Sequence, residues 1–177
     1  MASTFLQKDF GSAGNRKIFT FSTWYKSTAG NPSENKVFFS AGSASNNYCQ
    51  IRIKSGTDYI QLEDETASGV NSSIYTSAQF RDPTAWSHLV VRVDTTQGTA
   101  ADRVRFYKDG VLLSTGGGSQ PGQNTDLQMN NNIGHAVGTL WRGSNSGGEY
   151  EGYLAQTIFC DGQTLAPTSF GQFDSNG

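Results

Sequence analysis

The sequence predicts an all-β chain, a two-sheet antiparallel jelly-roll sandwich of roughly 11–13 short strands. Three observations carry this. Alternating apolar runs recur along the whole chain, with turn signals about every 8–12 residues. The composition is rich in Gly (21 of 177 residues) and poor in Pro (4), as numerous tight turns between short strands require. No stretch carries a long helical period, which disfavours a parallel α/β architecture.

The clearest element is Ala85–Thr115. Alternation over Trp86–Val93 places Ser87, Leu89, Val91 and Val93 on one face and Trp86, His88, Val90 and Arg92 on the other. That pattern predicts a strand packed on one side and partly wet on the other. A second run, Val104–Tyr107, reaches Lys108-Asp109-Gly110 and returns through Val111–Leu113. Asp-Gly between two alternating runs predicts a type I′ hairpin, which needs positive φ at both central residues.

Elsewhere Lys17–Lys26 puts Phe19, Phe21 and Tyr25 on one face and Ile18 and Trp24 on the other, as an inner strand would. Residues 29–35 read as a loop. Val37–Ala41 is a short strand. Tyr48–Lys54 and Tyr59–Glu63 form a hairpin through Ser55–Asp58, and Val70–Phe80 is a strand that stops before Pro83. Gly116–Asp126 reads as a long Gly-rich loop, Asn132–Ala136 as a strand, Val137–Gly148 as a polar loop and Tyr150–Phe159 as a final strand. The tail from Leu165 to Phe173 holds one helical turn with Pro167 early in it. No internal repeat or linker is visible, so residues 1–177 read as a single domain.

The formal charge of −2 and the absence of a basic run argue against nucleic acid as a partner. No run approaches the roughly 18 apolar residues of a membrane span, and the N-terminus lacks a signal-peptide core. The expected localisation is therefore a protein made in a cytoplasm without a signal peptide of its own. Cys49 and Cys160 lie in apolar alternation and read as free thiols acting as small hydrophobes, with a disulfide as the alternative.

Five segments resemble, in order, the laminin-G-like, concanavalin A-like jelly-roll domains: FTFSTWYK at 19–26, AWSHLVVRVD at 85–94, VRFYKDGVLL at 104–113, NIGHA at 132–136 and YEGYLAQTIFCDGQTLAPTSFGQFD at 150–174. AGNRK at 13–17, FRDPTAW at 80–86 and DGQTLAPTSFGQFD at 161–174 are similar to phrases of the version found in tailed-phage virion proteins. The resemblance implies a non-enzymatic domain on a virion surface, on a tail fibre or as capsid decoration. Its implied partners are other virion proteins, further copies of itself and a host surface polysaccharide. In many laminin-G-like domains an acidic residue stands where this chain has Gln156.

Four residues are the carbohydrate-binding candidates: Trp141, Arg142, Ser144 and Asn145, in the loop TLWRGSNSGGEY. An aromatic ring in a polar loop stacks on the apolar face of a sugar, while Arg, Ser and Asn supply directional hydrogen bonds. The alternative is that Trp141 folds back over a sheet edge or packs on a neighbouring subunit. For a metal, Asp94, Asp102, Asp126 and Glu149 stand at loop edges and are candidate calcium ligands, calcium being the only cofactor considered. Glu63-Asp64-Glu65 is the only acidic cluster; Glu63 and Glu65 share a face, but the sequence runs on into Ser and Gly as a solvated turn would. Glycoside hydrolysis by this pair is the least favoured alternative, and no catalytic residue is assigned. The two histidines, His88 and His135, lack any accompanying nucleophile motif and read as structural or surface residues. A purely architectural decoration protein without a ligand is the second alternative.

Overall fold

The structure, a computed structural model, describes residues 4–28, 33–144 and 147–171. Twelve strands are found among the described residues: β1 (Leu6–Asp9), β2 (Ile18–Ser27), β3 (Lys36–Ala44), β4 (Asn47–Ile53), β5 (Tyr59–Thr66), β6 (Gly69–Gln79), β7 (Ser87–Asp94), β8 (Val104–Lys108), β9 (Val111–Leu112), β10 (Thr115–Ser119), β11 (Gly134–Val137) and β12 (Gly152–Asp161). They form a seven-stranded sheet, order β1-β11-β3-β4-β5-β6-β10, and a five-stranded sheet, order β12-β2-β7-β8-β9. Every pairing is antiparallel. Two short 3-10 turns, Ala100–Asp102 and Pro167–Ser169, complete the elements, the second where the tail was expected to turn once.

The core lies between the sheets. From the five-stranded sheet come Phe19, Phe21, Leu89, Val91, Val93 and Phe106, and from the seven-stranded sheet Phe39, Cys49, Ile51, Ile53, Ile60, Leu62 and Ile74, all buried. Phe21 stacks on Phe39 across the gap at 5.3 Å, and Phe39 meets Phe159 at 5.4 Å. Val37 pairs with Arg52 and Phe39 with Ile51, so a bulge at Phe38 puts an extra residue into β3. The bulge is why two consecutive phenylalanines, Phe38 and Phe39, both enter the core, where strict alternation would expose one. Each such ring contributes about 1.5–3 kcal/mol by burial.

The Asp109-Gly110 turn has φ of 50° and 80°, the left-handed pair that a type I′ hairpin demands. Two expectations need correcting. The acidic cluster is not a solvated turn: β5 continues through Glu63, Asp64 and Glu65 to Thr66, with Asp64 fully buried. Residues 115–119, taken into or beside a Gly-rich loop, form β10 along β6. A Cβ on Gly118 would collide with the Ser73 carbonyl, so glycine admits an approach that a side chain forbids. β1, a segment for which the sequence raised no expectation, carries no apolar alternation, and all four of its residues are exposed. It joins as an edge strand paired with β11, which is why the sequence does not announce it.

Asp64 points inward and organises the connection from Asp126 to Ile133. Its Oδ1 accepts the Gln128 backbone N–H at 2.6 Å and its Oδ2 accepts from Asn71 Nδ2 at 3.1 Å. Burial pushes its carboxyl up to about 6 against these hydrogen bonds, which pull it down. His135 holds the same connection from the other side. Its Nε2 accepts the Asn130 backbone N–H at 3.0 Å, so its Nδ1 carries the proton and donates to the Ile133 carbonyl at 2.9 Å. Phe10 stacks on the ring at 3.9 Å, and burial lowers its basicity. His135 is thus a structural neutral imidazole. Both cysteines are unpaired: Cys49 is buried and Cys160 partly so.

Candidate functional site

β4 reads NYCQIRI, and its alternation serves both faces of the seven-stranded sheet. Cys49, Ile51 and Ile53 go to the core, while Tyr48, Gln50 and Arg52 go to the outer face. Register places Tyr48 opposite Glu65, Gln50 opposite Glu63 and Arg52 opposite Gln61 on β5. On β6, Ser73 stands opposite Glu63 and Tyr75 opposite Gln61. A row of polar residues thus crosses the sheet.

The row is closed by hydrogen bonds. The Tyr48 hydroxyl lies 2.9 Å from Glu63 Oε1 and 2.7 Å from Glu65 Oε2, bridging the two carboxylates. Gln50 Nε2 donates to Glu63 Oε1 at 3.0 Å. Arg52 donates through Nε and Nη2 to Gln61 Oε1 (3.0 and 2.8 Å) and through Nη2 to Glu63 Oε2 at 2.9 Å. Gln61 Nε2 then donates to Ser73 Oγ at 2.8 Å. The Arg52–Glu63 ion pair is largely shielded, with side chains 9% and 14% exposed. Burial, followed by the neighbouring Glu65, raises the Tyr48 phenol well above its ordinary value. Tyr59 and Tyr75 stack at 5.4 Å further along the same face.

The loop after β11 covers one end of this row. The Trp141 backbone N–H donates to Ser40 Oγ at 2.9 Å, and Ser40 Oγ donates to the Thr139 carbonyl at 2.7 Å. Leu140 packs with Val37 and Tyr48 in a small second apolar cluster. The Arg142 guanidinium sits 4.2 Å above the Tyr48 ring, a cation–π contact. Two glycines make this seat. A Cβ on Gly134 would strike the Trp141 indole, and one on Gly42 the Trp141 carbonyl. Gln50 Oε1 and Arg142 Nε are both buried without a hydrogen-bond partner, one acceptor and one donor in the same covered region.

Of the carbohydrate candidates, Trp141 and Arg142 come together on this face. Trp141 is half-buried, folded back over the sheet with Phe5 at 6.1 Å from its ring. Ser144 is exposed, its carbonyl accepting the Arg142 N–H at 3.1 Å. Asn145 lies outside the described residues. The acidic candidates do not assemble into one centre. Asp94 is capped by Thr96 and Gln97, Asp102 pairs with Arg105, and Asp126 lies 3.8 Å from Lys17. Glu149 lines a cavity with Phe5, Tyr150 and Leu154, near the opposite end of β2 from Asp94. Among the described residues no group of three or more His, Cys, Asp or Glu side chains could hold a metal ion.

Sequence reasoning passed over Tyr48, Gln50, Arg52 and Gln61. The signal was present in the second parity of YCQIRIK, but only cross-strand register reveals that Gln50 and Arg52 meet Glu63 and Gln61.

The model of the concanavalin A-like lectin/glucanases superfamily matches residues 7–156. The CBM40 domain of the Ruminococcus gnavus IT-sialidase, solved with alpha2,6 sialyllactose, superimposes with a TM-score of 0.61 at 14% identity, covering 93% of this chain and 96% of that one. Domains LG4-5 of the mouse laminin alpha1 chain give 0.60 at 15% identity, covering 97% and 42%. The heptameric SAP-like pentraxin of Limulus polyphemus gives 0.52 at 15% identity, covering 88% and 68%. No curated protein sequence matches the chain significantly.

Proposed function

The chain belongs to the concanavalin A-like lectin/glucanases superfamily, and from that premise we propose that it is a non-catalytic glycan-binding domain. The observation that carries the reading is the polar row on the outer face of the seven-stranded sheet. Tyr48, Gln50, Arg52 and Glu63 there are positioned by strands and mutual hydrogen bonds, with Trp141 and Arg142 forming a rim above them. The buried row is a rigid floor, and the half-buried Trp141 and Arg142 that it seats are the groups that meet a sugar's apolar face and hydroxyls. The CBM40 domain solved with sialyllactose supports the ligand class.

Binding without cleavage is favoured by the state of the carboxylates. Glu63 accepts from Tyr48, Gln50 and Arg52, and Glu65 faces the same Tyr48 hydroxyl. Both are committed to the scaffold, whereas hydrolysis needs one free acid and one free base or nucleophile. In this reading single sites are weak and become effective by repetition on a symmetric particle, a phage virion surface as the resemblance implies. Ser144 and Asn145 extend the rim, and calcium has no assigned part.

The test is a glycan array probed with a multimerised, labelled chain, in calcium and in EDTA. Selective binding that falls at least about tenfold in Arg142→Ala and Tyr48→Phe supports the reading. Silence from the multimer would overturn it. A second reading, an architectural domain docked on other virion proteins, is favoured by the exposed Trp86 (45%) and Tyr153 (62%), whose rings lie 6.3 Å apart on the five-stranded sheet's side. Trp86→Ala releasing copies from a particle, with glycan binding absent, would establish that alternative.

A further inference from the structure

The outer face of the five-stranded sheet holds a second constellation, remote from the polar row. Register places Thr20 on β2, Arg92 on β7 and Arg105 on β8 side by side. Two arginines directly opposite one another on neighbouring strands repel, and such pairs are ordinarily avoided. Together with Asp94, Gln97, Asp102 and Thr164 they line a small cavity of about 130 Å³. At about 30 Å³ per water, that is space for a single oxyanion with room to spare.

Three of the four carboxylate oxygens lining this cavity accept hydrogen bonds. Asp94 Oδ1 accepts from the Thr96 N–H (3.0 Å) and hydroxyl (2.6 Å), and its Oδ2 accepts from Gln97 Nε2 at 2.5 Å. Asp102 Oδ1 accepts from Arg105 Nη2 at 2.5 Å. The donors are in surplus. Arg92 spends Nη1 on the Tyr107 hydroxyl at 3.2 Å, while its Nε is buried without a partner. No ion pair reaches Arg92 among the described residues, although five of the six found there involve an arginine or lysine on β3, β4 or β8 or next to β6. The third wall is also fixed. Thr20 Oγ1 donates to the Gln163 carbonyl at 2.7 Å and accepts the Leu165 N–H at 2.9 Å. These two bonds clamp the backbone on both sides of Thr164 and hold that residue in the cavity wall.

We propose that the Arg92–Arg105–Thr164 cavity binds a small oxyanion, a sulfate or phosphate group either free or as an ester. Guanidinium donors from two strands and one hydroxyl answer such a group, and its charge offsets the Arg92–Arg105 repulsion. Asp94 and Asp102 keep the affinity modest, so the expected dissociation constant is in the millimolar range.

The experiment titrates the intact chain with sodium sulfate and sodium phosphate against sodium chloride at matched ionic strength, reading the melting temperature and the arginine Nε–Hε NMR signals. Saturable shifts of the Arg92 and Arg105 signals, with a rise in melting temperature beyond that in chloride, are expected. Arg92→Gln should weaken sulfate binding about tenfold, and Thr164→Val, which touches neither carboxylate, about threefold. Should Arg92→Gln fail to fold, Thr164→Val and the wild-type Arg105 signal decide. Glucose 6-sulfate in a parallel arm separates the sources: binding as tight as inorganic sulfate places an esterified ligand here, and its failure beside inorganic sulfate restricts the site to the free ion. A response to sulfate no different from chloride, or unchanged in Thr164→Val and Arg92→Gln alike, overturns the proposal.

Discussion

The two outer faces of the sandwich are finished by opposite means. On the seven-stranded sheet, Tyr48, Gln50, Arg52, Gln61 and Glu63 are shielded yet polar, and apart from Gln50 Oε1 they are held to one another by hydrogen bonds. On the five-stranded sheet, Thr20, His88, Val90 and Tyr107 are buried, and the chain's own C-terminal segment covers part of the face, with Leu165 tied to Thr20 and Phe170 meeting the His88 ring at 6.2 Å. A polar lattice keeps its geometry at the cost of needing every partner present. A face covered by a chain segment tolerates single changes, because burial is spread over many atoms and is non-directional. The first arrangement suits recognition and the second suits stability.

The largest expected effect breaks the lattice. Arg52→Ala leaves Glu63 shielded without its cation and should cost about 3–5 kcal/mol, read by urea unfolding. A loss under about 1 kcal/mol would mean that the row is solvated and the contrast between faces is not real. Next, Gly134→Ala drives a methyl into the Trp141 indole and should cost about 1–3 kcal/mol. Displacement of the loop would appear as a change in tryptophan fluorescence together with altered glycan binding.

The pH response separates the sheets further. Asp64 on β5 has a folded-state pKa of about 6 against 3.8 for an ordinary aspartate. Raised in the folded state, it contributes stability that is present below about pH 4 and is lost as pH rises through about 6. The wild type should therefore lose about 1–3 kcal/mol relative to Asp64→Asn between pH 4 and pH 7. His88, under the five-stranded sheet's cover, has its pKa lowered, by burial first. Its contribution has the opposite sign, present above the ordinary imidazole range and lost as pH falls. Melting curves of Asp64→Asn and His88→Gln against wild type should diverge in opposite directions on acidification, and parallel curves would refute the assignment. The smallest effect is Ser22→Ala, which removes the 2.8 Å contact to His88 Nε2 and should cost about 1 kcal/mol by thermal melt.

The core strands were legible because one physical rule governs them. Period-two alternation placed Phe19, Phe21, Leu89 and Val91 inward, and the Asp109-Gly110 pair declared its hairpin through positive φ. Where that rule was suspended, legibility failed. Phe38 enters the core through a bulge, β10 is held by glycines that carry no hydrophobic signal, and the exposed β1 forms only because β11 offers it an edge. The loop TLWRG was legible as unusual, and Trp141 and Arg142 do gather at the candidate site. The seat that receives them was not legible, since it consists of two absences, the missing side chains of Gly42 and Gly134.

By itself the sequence determined the all-β class, the antiparallel sandwich and its family resemblance, the main hairpins and which aliphatic residues fill the interior. Those follow from local periodicity and turn chemistry, which act between near neighbours in the chain. Only the tertiary structure decided that Gln50 and Arg52 would meet Glu63 and Gln61, that Asp64 would be buried while Glu63 and Glu65 were bridged by Tyr48, and that Arg92 would face Arg105. Strand register and sheet order set these meetings, and they arise from contacts between residues remote in sequence, where periodicity carries no information.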